Sequence, residues 1–190
     1  MQLFVVSRRH ALRSEVERFI ADVYRDHYSA SVASFPADLI AMFSNGGECV
    51  CASGLRFAAT GFFSECYLDM PIEQALSEAA GKSVRRSSVF EVTGLASSAP
   101  RVATLFLRRI VAYGELAGFD WGFFTATNRL RELLGRIGLP PLALASADPK
   151  RLPNAEIWGS YYAAAPVVCA INRGAATNFL SRQTRRPAYA

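Results

Sequence analysis

Lysine is almost missing from this chain: of its 21 basic residues only Lys82 and Lys150 are lysines, and the rest are arginine. The net charge of +5 is therefore carried by guanidinium groups, which favour bidentate contact with phosphate or carboxylate. Such a surface suits nucleic acid, acidic lipid, a nucleotide cofactor or an acidic carrier protein, and it equally suits plain solvation. Histidine is as scarce, with His10 and His27 alone, and the cysteines Cys49, Cys51, Cys66 and Cys169 do not have the spacing of a metal framework. No metal site is expected, and the thiols read as buried. In an extended strand Cys49 and Cys51 would share one face.

No G-x-S-x-G elbow is present and both histidines lie in or beside the first predicted helix, which argues against a Ser-His-Asp nucleophile. P-loop and dinucleotide fingerprints are missing too. No apolar run reaches the roughly 20 residues of a membrane-spanning helix, the longest, residues 161–171, being about half that. The apolar residues 3–6 precede Arg8 and Arg9, the reverse of a secretory signal, so a reducing cytoplasm is the expected compartment. There is no internal repeat and no low-complexity block.

What is present is enough apolar material for one core. The chain has 190 residues, 51% of them hydrophobic, with mean hydropathy +0.15, which excludes wholesale disorder and fits a single domain. Residues 3–6 read as a strand, and residues 13–28 carry Val16, Phe19, Ile20, Val23 and Tyr24 at helical spacing behind Ser14 as N-cap. Residues 38–43 and 49–59 flank Asn45-Gly46, the signature of a β-hairpin. Pro71 heads a short helix over 72–80 that Gly81 closes.

Residues 88–96 read as a strand in which Val89, Glu91, Thr93 and Leu95 alternate with Phe90, Val92 and Gly94. The glycine inside it signals a bulge or a close backbone approach. A polar loop then leads into a helix over 102–116, and a strand, loop and helix start in that order expose free N–H groups suited to an anion. Residues 121–125, 142–147 and 166–171 are further strands, with a helix over 128–135. The expected architecture is α/β, one central mixed sheet with interspersed helices. From residue 173 onward the chain holds Arg182, Arg185 and Arg186 without an acidic residue and is expected to fray, residues 176–190 forming a flexible basic tail behind a domain of residues 1–175.

Several stretches carry a family resemblance. Glu91-Val92-Thr93-Gly94-Leu95-Ala96-Ser97, residues 119–127 (FDWGFFTAT), residues 145–148 (ASAD) and Trp158-Gly159-Ser160-Tyr161-Tyr162 resemble, in order and over nearly the whole chain, the thermostable hemolysin family. Val16 to Ile20 with Tyr24 and Tyr28, and residues 67–73, fit the same pattern. That family is in turn similar to the GNAT superfamily of acyltransferases and to acyl-homoserine-lactone synthases. The succession of strands and helices and the helix opened by Asn128 support this. The chain departs from those patterns in two places. Residues 97–102 lack the Gln/Arg-x-x-Gly-x-Gly/Ala loop of acetyl-CoA users, with Pro100 removing an N–H donor. Gly94 and Leu95 stand where homoserine-lactone synthases place an arginine and an aromatic residue.

The resemblance implies a GNAT-like sheet, mostly antiparallel, whose kinked middle strand cradles a thioester. The N–H groups of Thr93, Gly94 and Leu95 would polarise the thioester carbonyl. Glu91 would act as base or orient the amine, or else serve as a structural ion-pair partner. Ala96, Ser97, Arg101, Val102, Ala103 and Asn128 would hold the pantetheine and its phosphate. Arg108 and Arg109 would meet phosphate or an acidic carrier helix, or form an ordinary exposed face. Glu65 and Asp69, with Glu73, would receive a cationic acceptor or form a solvated acidic edge. Trp121, Phe123 and Thr125, with Phe124, Trp158, Tyr161 and Tyr162, would wall an acyl pocket or belong to the core.

The function so implied is N-acyl transfer from the acyl-phosphopantetheine of an acyl carrier protein, or from acyl-CoA, to a small amine. No cofactor is permanently bound and nucleic acid is not a partner. Two alternatives stand beside it: a protein that itself disrupts membranes, and a non-catalytic GNAT-like binding module whose arginines hold nucleic acid or lipid headgroups.

Overall fold

The computed structural model describes residues 1–184. Seven strands form one sheet: β1 (Gln2–Val6), β2 (Asp38–Phe43), β3 (Cys49–Phe57), β4 (Val89–Ser97), β5 (Trp121–Ala126), β6 (Leu142–Ser146) and β7 (Val167–Asn172). Their spatial order is β1-β2-β3-β4-β5-β7-β6, and every pair is antiparallel except β4 with β5. Parallel neighbours need a crossover rather than a tight turn, and helix α3 (Pro100–Leu116) supplies it. The remaining helices are α1 (Arg13–Tyr28), α2 (Ile72–Ala80), α4 (Asn128–Arg136) and α5 (Arg173–Thr184).

The alternation along each strand divides the core between two faces. Leu39, Ala41 and Phe43 of β2 pack with Val16, Ile20 and Tyr24 of α1. Ile40 and Met42 pack on the opposite side with Phe106 and Ile110 of α3. Further along the α1 face, Ile72 and Leu76 of α2 cover Val89, Trp121 and Phe123. On the α3 face, Leu107, Leu134 of α4 and Phe179 of α5 close a second cluster. Among the described residues no helix is long and apolar enough to cross a membrane.

Three expectations are corrected. Ser14 does not cap α1: Leu12 holds that position without a side-chain hydrogen bond. The helix start is tied down instead by Arg13, 9% exposed, whose guanidinium donates to the carbonyls of Pro36 and Ala37 at 2.7 and 2.8 Å and pairs with Glu17. Cys49 and Cys51 lie on opposite faces, because the β2–β3 register slips by one residue between Met42 and Phe43. Cys49 packs toward α1 and Cys51 toward α3, and burial pushes their thiols up to about 12 and about 11. Finally, residue 173 begins α5 rather than a frayed tail, and Phe179 at 2% exposure anchors that helix. Arg185 and Arg186, in the last six residues of the expected basic tail, lie outside the described residues.

Candidate active site at the β4–β5 splay

The ladder between β4 and β5 runs from Val89 opposite Trp121 to Val92 opposite Phe124 and ends there. Beyond it β4 stays with β3 as far as Ser97, while β5 stays with β7 as far as Ala126. The two strands part, and main-chain groups of β4 that point toward β5 lose their ladder partners.

A bulge sets the parting. Between Gly54 opposite Thr93 and Ala52 opposite Ala96, the single residue Ser53 faces both Gly94 and Leu95. Gly94 has φ +58°, in the left-handed region that glycine enters without a Cβ penalty. The fully buried Ser53 donates its hydroxyl to the Thr93 carbonyl at 2.7 Å, satisfying an acceptor that the irregular ladder strands. The extra residue also shifts the alternation, so Leu95 joins Phe90 and Val92 on the α3 face instead of following Glu91 as strict alternation predicts.

The splay opens on a cavity of about 520 Å³. On the α3 face much of its wall is apolar, built from Leu107, Phe124 and the α4 residues Leu130, Leu133 and Leu134, with Glu115, Arg129 and Arg136 also lining the space. At one end it meets Ser97 to Pro100 and the start of α3, where the first-turn N–H groups have no intrahelical acceptor. Through the splay it reaches Tyr24 and Tyr28 of α1, so the space crosses the sheet. A tighter chamber of about 50 Å³ lies on the α1 side, bounded by Phe63, Ser64, Tyr67, Trp158 and Tyr162. The two spaces share Tyr24, Val92, Gly94, Thr125 and Tyr161.

The expected site residues divide between these spaces and the core. Gly94, Leu95, Ser97, Ala103, Trp121 and Thr125 line the large cavity, and Thr93 lines the chamber. Ala96 is buried against the α1 cluster, Val102 packs in the α3 cluster, and Phe123, fully buried, belongs with α2. Arg101 is exposed beside the loop, and neither it nor Asn128 lines the cavity. The Asn128 carboxamide accepts from Arg131. Its neighbour Thr127 caps α4, accepting the Leu130 N–H, and lines the cavity instead. Of the helical arginines, Arg108 is half-buried and Arg109 exposed.

Glu91 is fully buried and lines neither space. Its two carboxylate oxygens accept the N–H groups of Phe63 at 2.6 Å and Ser64 at 2.8 Å. Burial pushes its carboxyl up, against the opposing pull of the Ser64 hydroxyl, those two N–H groups and the Arg56 charge. The Ser64 hydroxyl in turn lies 2.8 Å from that of Thr125 at the splay. A second hydroxyl pair, Tyr67 with Tyr162 at 2.6 Å, stands across the chamber, and burial raises both phenols.

The acidic edge is already engaged. Arg86 bridges Glu65 and Glu73, Glu65 also accepts the Ile72 N–H at 2.9 Å, and Asp69 pairs with Arg151. None of these carboxylates borders either space. Ser53, Ser64, Tyr67, Thr127 and the α4 leucines were not among the expected site residues. Only the leucines carry a sequence signal, the i, i+3, i+4 spacing of Leu130, Leu133 and Leu134.

With that geometry in place, the chain can be set beside known proteins. A family model described as thermostable hemolysin matches residues 6–177. No curated protein matches. Among solved structures, TofI in an apo form is similar with TM-score 0.61 at 14% identity, covering 93% of this chain and 97% of that one. FeeM, an N-acyl amino acid synthase from uncultured soil microbes, has TM-score 0.61 at 13% identity, with coverages of 95% and 98%. The AHL synthase LasI has TM-score 0.62 at 9% identity, with coverages of 90% and 89%. Identities this low speak for the fold alone: a GNAT-like α/β domain with one mixed sheet flanked by helices.

Proposed function

The chain belongs to the thermostable hemolysin family, and from that premise and the geometry of the splay we propose that it is an N-acyltransferase. It takes an acyl group from a phosphopantetheine thioester, carried by an acyl carrier protein or by coenzyme A, and gives it to a small amine. The observation that carries this reading is the splay itself: the Gly94 bulge bares main-chain groups beside a 520 Å³ cavity with a leucine-rich wall. The fold of an N-acyl amino acid synthase and of an AHL synthase supports it.

In this reading the pantetheine arm lies along β4 past Leu95 and Ser97. Its phosphate meets the first-turn N–H groups of α3, with Arg101 and Arg129 supplying positive charge at the mouth. The acyl chain rests against Leu107, Leu130 and Leu133. The amine nitrogen attacks the thioester carbonyl carbon. The C–N bond forms, the C–S bond breaks, and the proton lost by nitrogen ends on the departing thiolate. Charge developing on the carbonyl oxygen is met by the N–H groups at the bulge, and loss of one such donor slows acyl transfer about 10²–10³-fold in comparable sites. Glu91 touches neither space, so it is a positioning residue: it fixes the Phe63–Ser64 turn and, through it, the Ser64–Thr125 hydroxyl pair.

An N-acyl amine with a long chain is an amphiphile, so lysis associated with the family name falls to the product. Purified protein lysing liposomes without substrates would return it to the protein. The decisive experiment follows free thiol and N-acyl product while acyl carrier and acyl-CoA donors are incubated with a broad panel of amines. Release that depends on both donor and amine is expected, and silence across the whole panel overturns the proposal.

A further inference from the structure

The two spaces that meet at the splay differ in what they can hold, and the smaller one constrains the acceptor. At about 50 Å³, and with ~10–15 Å³ of such space per water-sized group, it has room for roughly three to five non-hydrogen atoms. Its walls are rings that already touch one another: Tyr24 with Trp158, Phe63 with Trp158, and Trp158 with Tyr161. Widening it means moving several buried aromatic groups at once. Among the described residues no charged side chain lines it, and the carboxylate on β4, Glu91, has both oxygens occupied.

Among its aromatic walls stand two hydroxyl pairs, Ser64 with Thr125 and Tyr67 with Tyr162, and Tyr24, Thr93 and Tyr161 line it as well. The Tyr67–Tyr162 pair consumes one of its two protons and leaves one O–H for a guest, whereas the Ser64 hydroxyl also meets Glu91, so the Ser64–Thr125 pair offers lone pairs. Such a chamber satisfies a small neutral polar group. It does not satisfy a carboxylate, which would be desolvated with no cation to meet it. The edge expected to hold a cationic acceptor is already paired with Arg86 and Arg151 and lies outside both spaces.

We propose that this chamber is the acceptor site, and that the acceptor is a short amine of about three to five non-hydrogen atoms bearing a hydroxyl group and no carboxylate, the amino alcohol class. The inference rests on the acyl-transfer reading. The amine enters as the free base, its nitrogen toward Gly94 and its hydroxyl toward the Tyr67–Tyr162 pair.

The test uses the full chain with an acyl carrier or acyl-CoA donor. It compares kcat/KM for 2-aminoethanol and 3-aminopropanol with that for propylamine, glycine, tyramine and S-adenosylmethionine. The amino alcohols are expected to exceed glycine and S-adenosylmethionine at least tenfold, and to exceed propylamine severalfold. Tyr162→Phe removes one hydroxyl at constant ring volume and is expected to shrink the preference for 2-aminoethanol over propylamine at least threefold. Tyr67→Phe gives the same readout should the first variant fail to fold. Faster turnover of glycine, tyramine or S-adenosylmethionine overturns the acceptor assignment while leaving acyl transfer standing. Absence of thiol release with every acceptor removes acyl transfer itself, and this inference with it.

Discussion

The two halves of β4 are written in the same alphabet, apolar residues alternating with single polar ones, yet they do opposite work. Residues 90–92 are laddered on both sides and enclose a carboxylate with no exposure at all. Residues 93–97 keep β3 but lose β5, and their glycine adopts a left-handed conformation. In the closed half a polar group persists because the fold satisfies it. In the open half main-chain groups are left for something else to satisfy. Substitutions in the first half should therefore register as stability, and those in the second as activity.

The sharpest way to break that division is Glu91→Ala. It strands the Phe63 and Ser64 N–H groups, at about 1–3 kcal/mol each, so a loss of roughly 2–6 kcal/mol is expected in urea denaturation. A variant with wild-type stability and lost turnover would make Glu91 a catalytic residue and merge the halves. The pH dependence sharpens the same point. Burial raises the Glu91 carboxyl, so the folded chain favours the protonated form. That contribution is complete below the ordinary carboxyl pKa and is lost as pH rises through the raised one. Glu91→Gln is expected to remove this fall in the urea midpoint.

Next in size is Gly94→Val. Forcing a β-branched residue to φ +58° costs about 1–2 kcal/mol of stability. Pulling the bulge amides out of line is expected to lower thioester turnover about 10²-fold or more. A Cβ at Gly94 would sit 3.8 Å from Ile20 Cγ2, an ordinary contact, so Gly94→Ala isolates the backbone effect from crowding. Full activity in that variant would show that the left-handed geometry is dispensable.

Gly122→Ala probes the closed side by crowding alone. The new Cβ would lie 2.9 Å from Phe90 Cε1, and that ring is also packed against Gly114 and Phe119. Overpacking of this kind costs about 1–3 kcal/mol, read as a lowered Tm.

Most of the elements were legible in the sequence because their signals are periodic or punctuated. The spacing of Val16, Ile20 and Tyr24 places α1 at residues 13–28, and Asn45-Gly46 places the hairpin. Gly94 was legible for the related reason that a glycine in an apolar strand marks an irregularity. The consequence of the bulge was not: one inserted residue moves Leu95 to the other face, and nothing local announces it. The hydroxyl groups escaped notice because their partners are remote. Ser64 and Thr125 stand 61 positions apart, and Ser53 meets Thr93 across 40. Glu91 could be recognised as a costly carboxylate, but its acceptance of main-chain N–H groups could not, since every residue except proline offers one.

The smallest effect is expected at the acidic edge, where Glu65 reverses the behaviour of Glu91. Burial pushes the Glu65 carboxyl up, but the Arg86 hydrogen bond, the Ile72 N–H and the Arg86 charge outweigh it and hold the group below its ordinary value. Its contribution is therefore present above the ordinary carboxyl pKa and lost as pH falls through the depressed one, the opposite sign to Glu91. The pair is partly exposed, with the Arg86 and Glu65 side chains 33% and 20% accessible, so solvent screening limits it to about 1 kcal/mol. Glu65→Gln should lower the urea midpoint slightly at neutral pH, and the difference from wild type should shrink in acid. Because Glu65 borders neither space, KM for the amine should not follow it. A raised KM with an unchanged midpoint would bring the acidic edge back into the site and undo the separation between the half of the sheet that holds and the half that works.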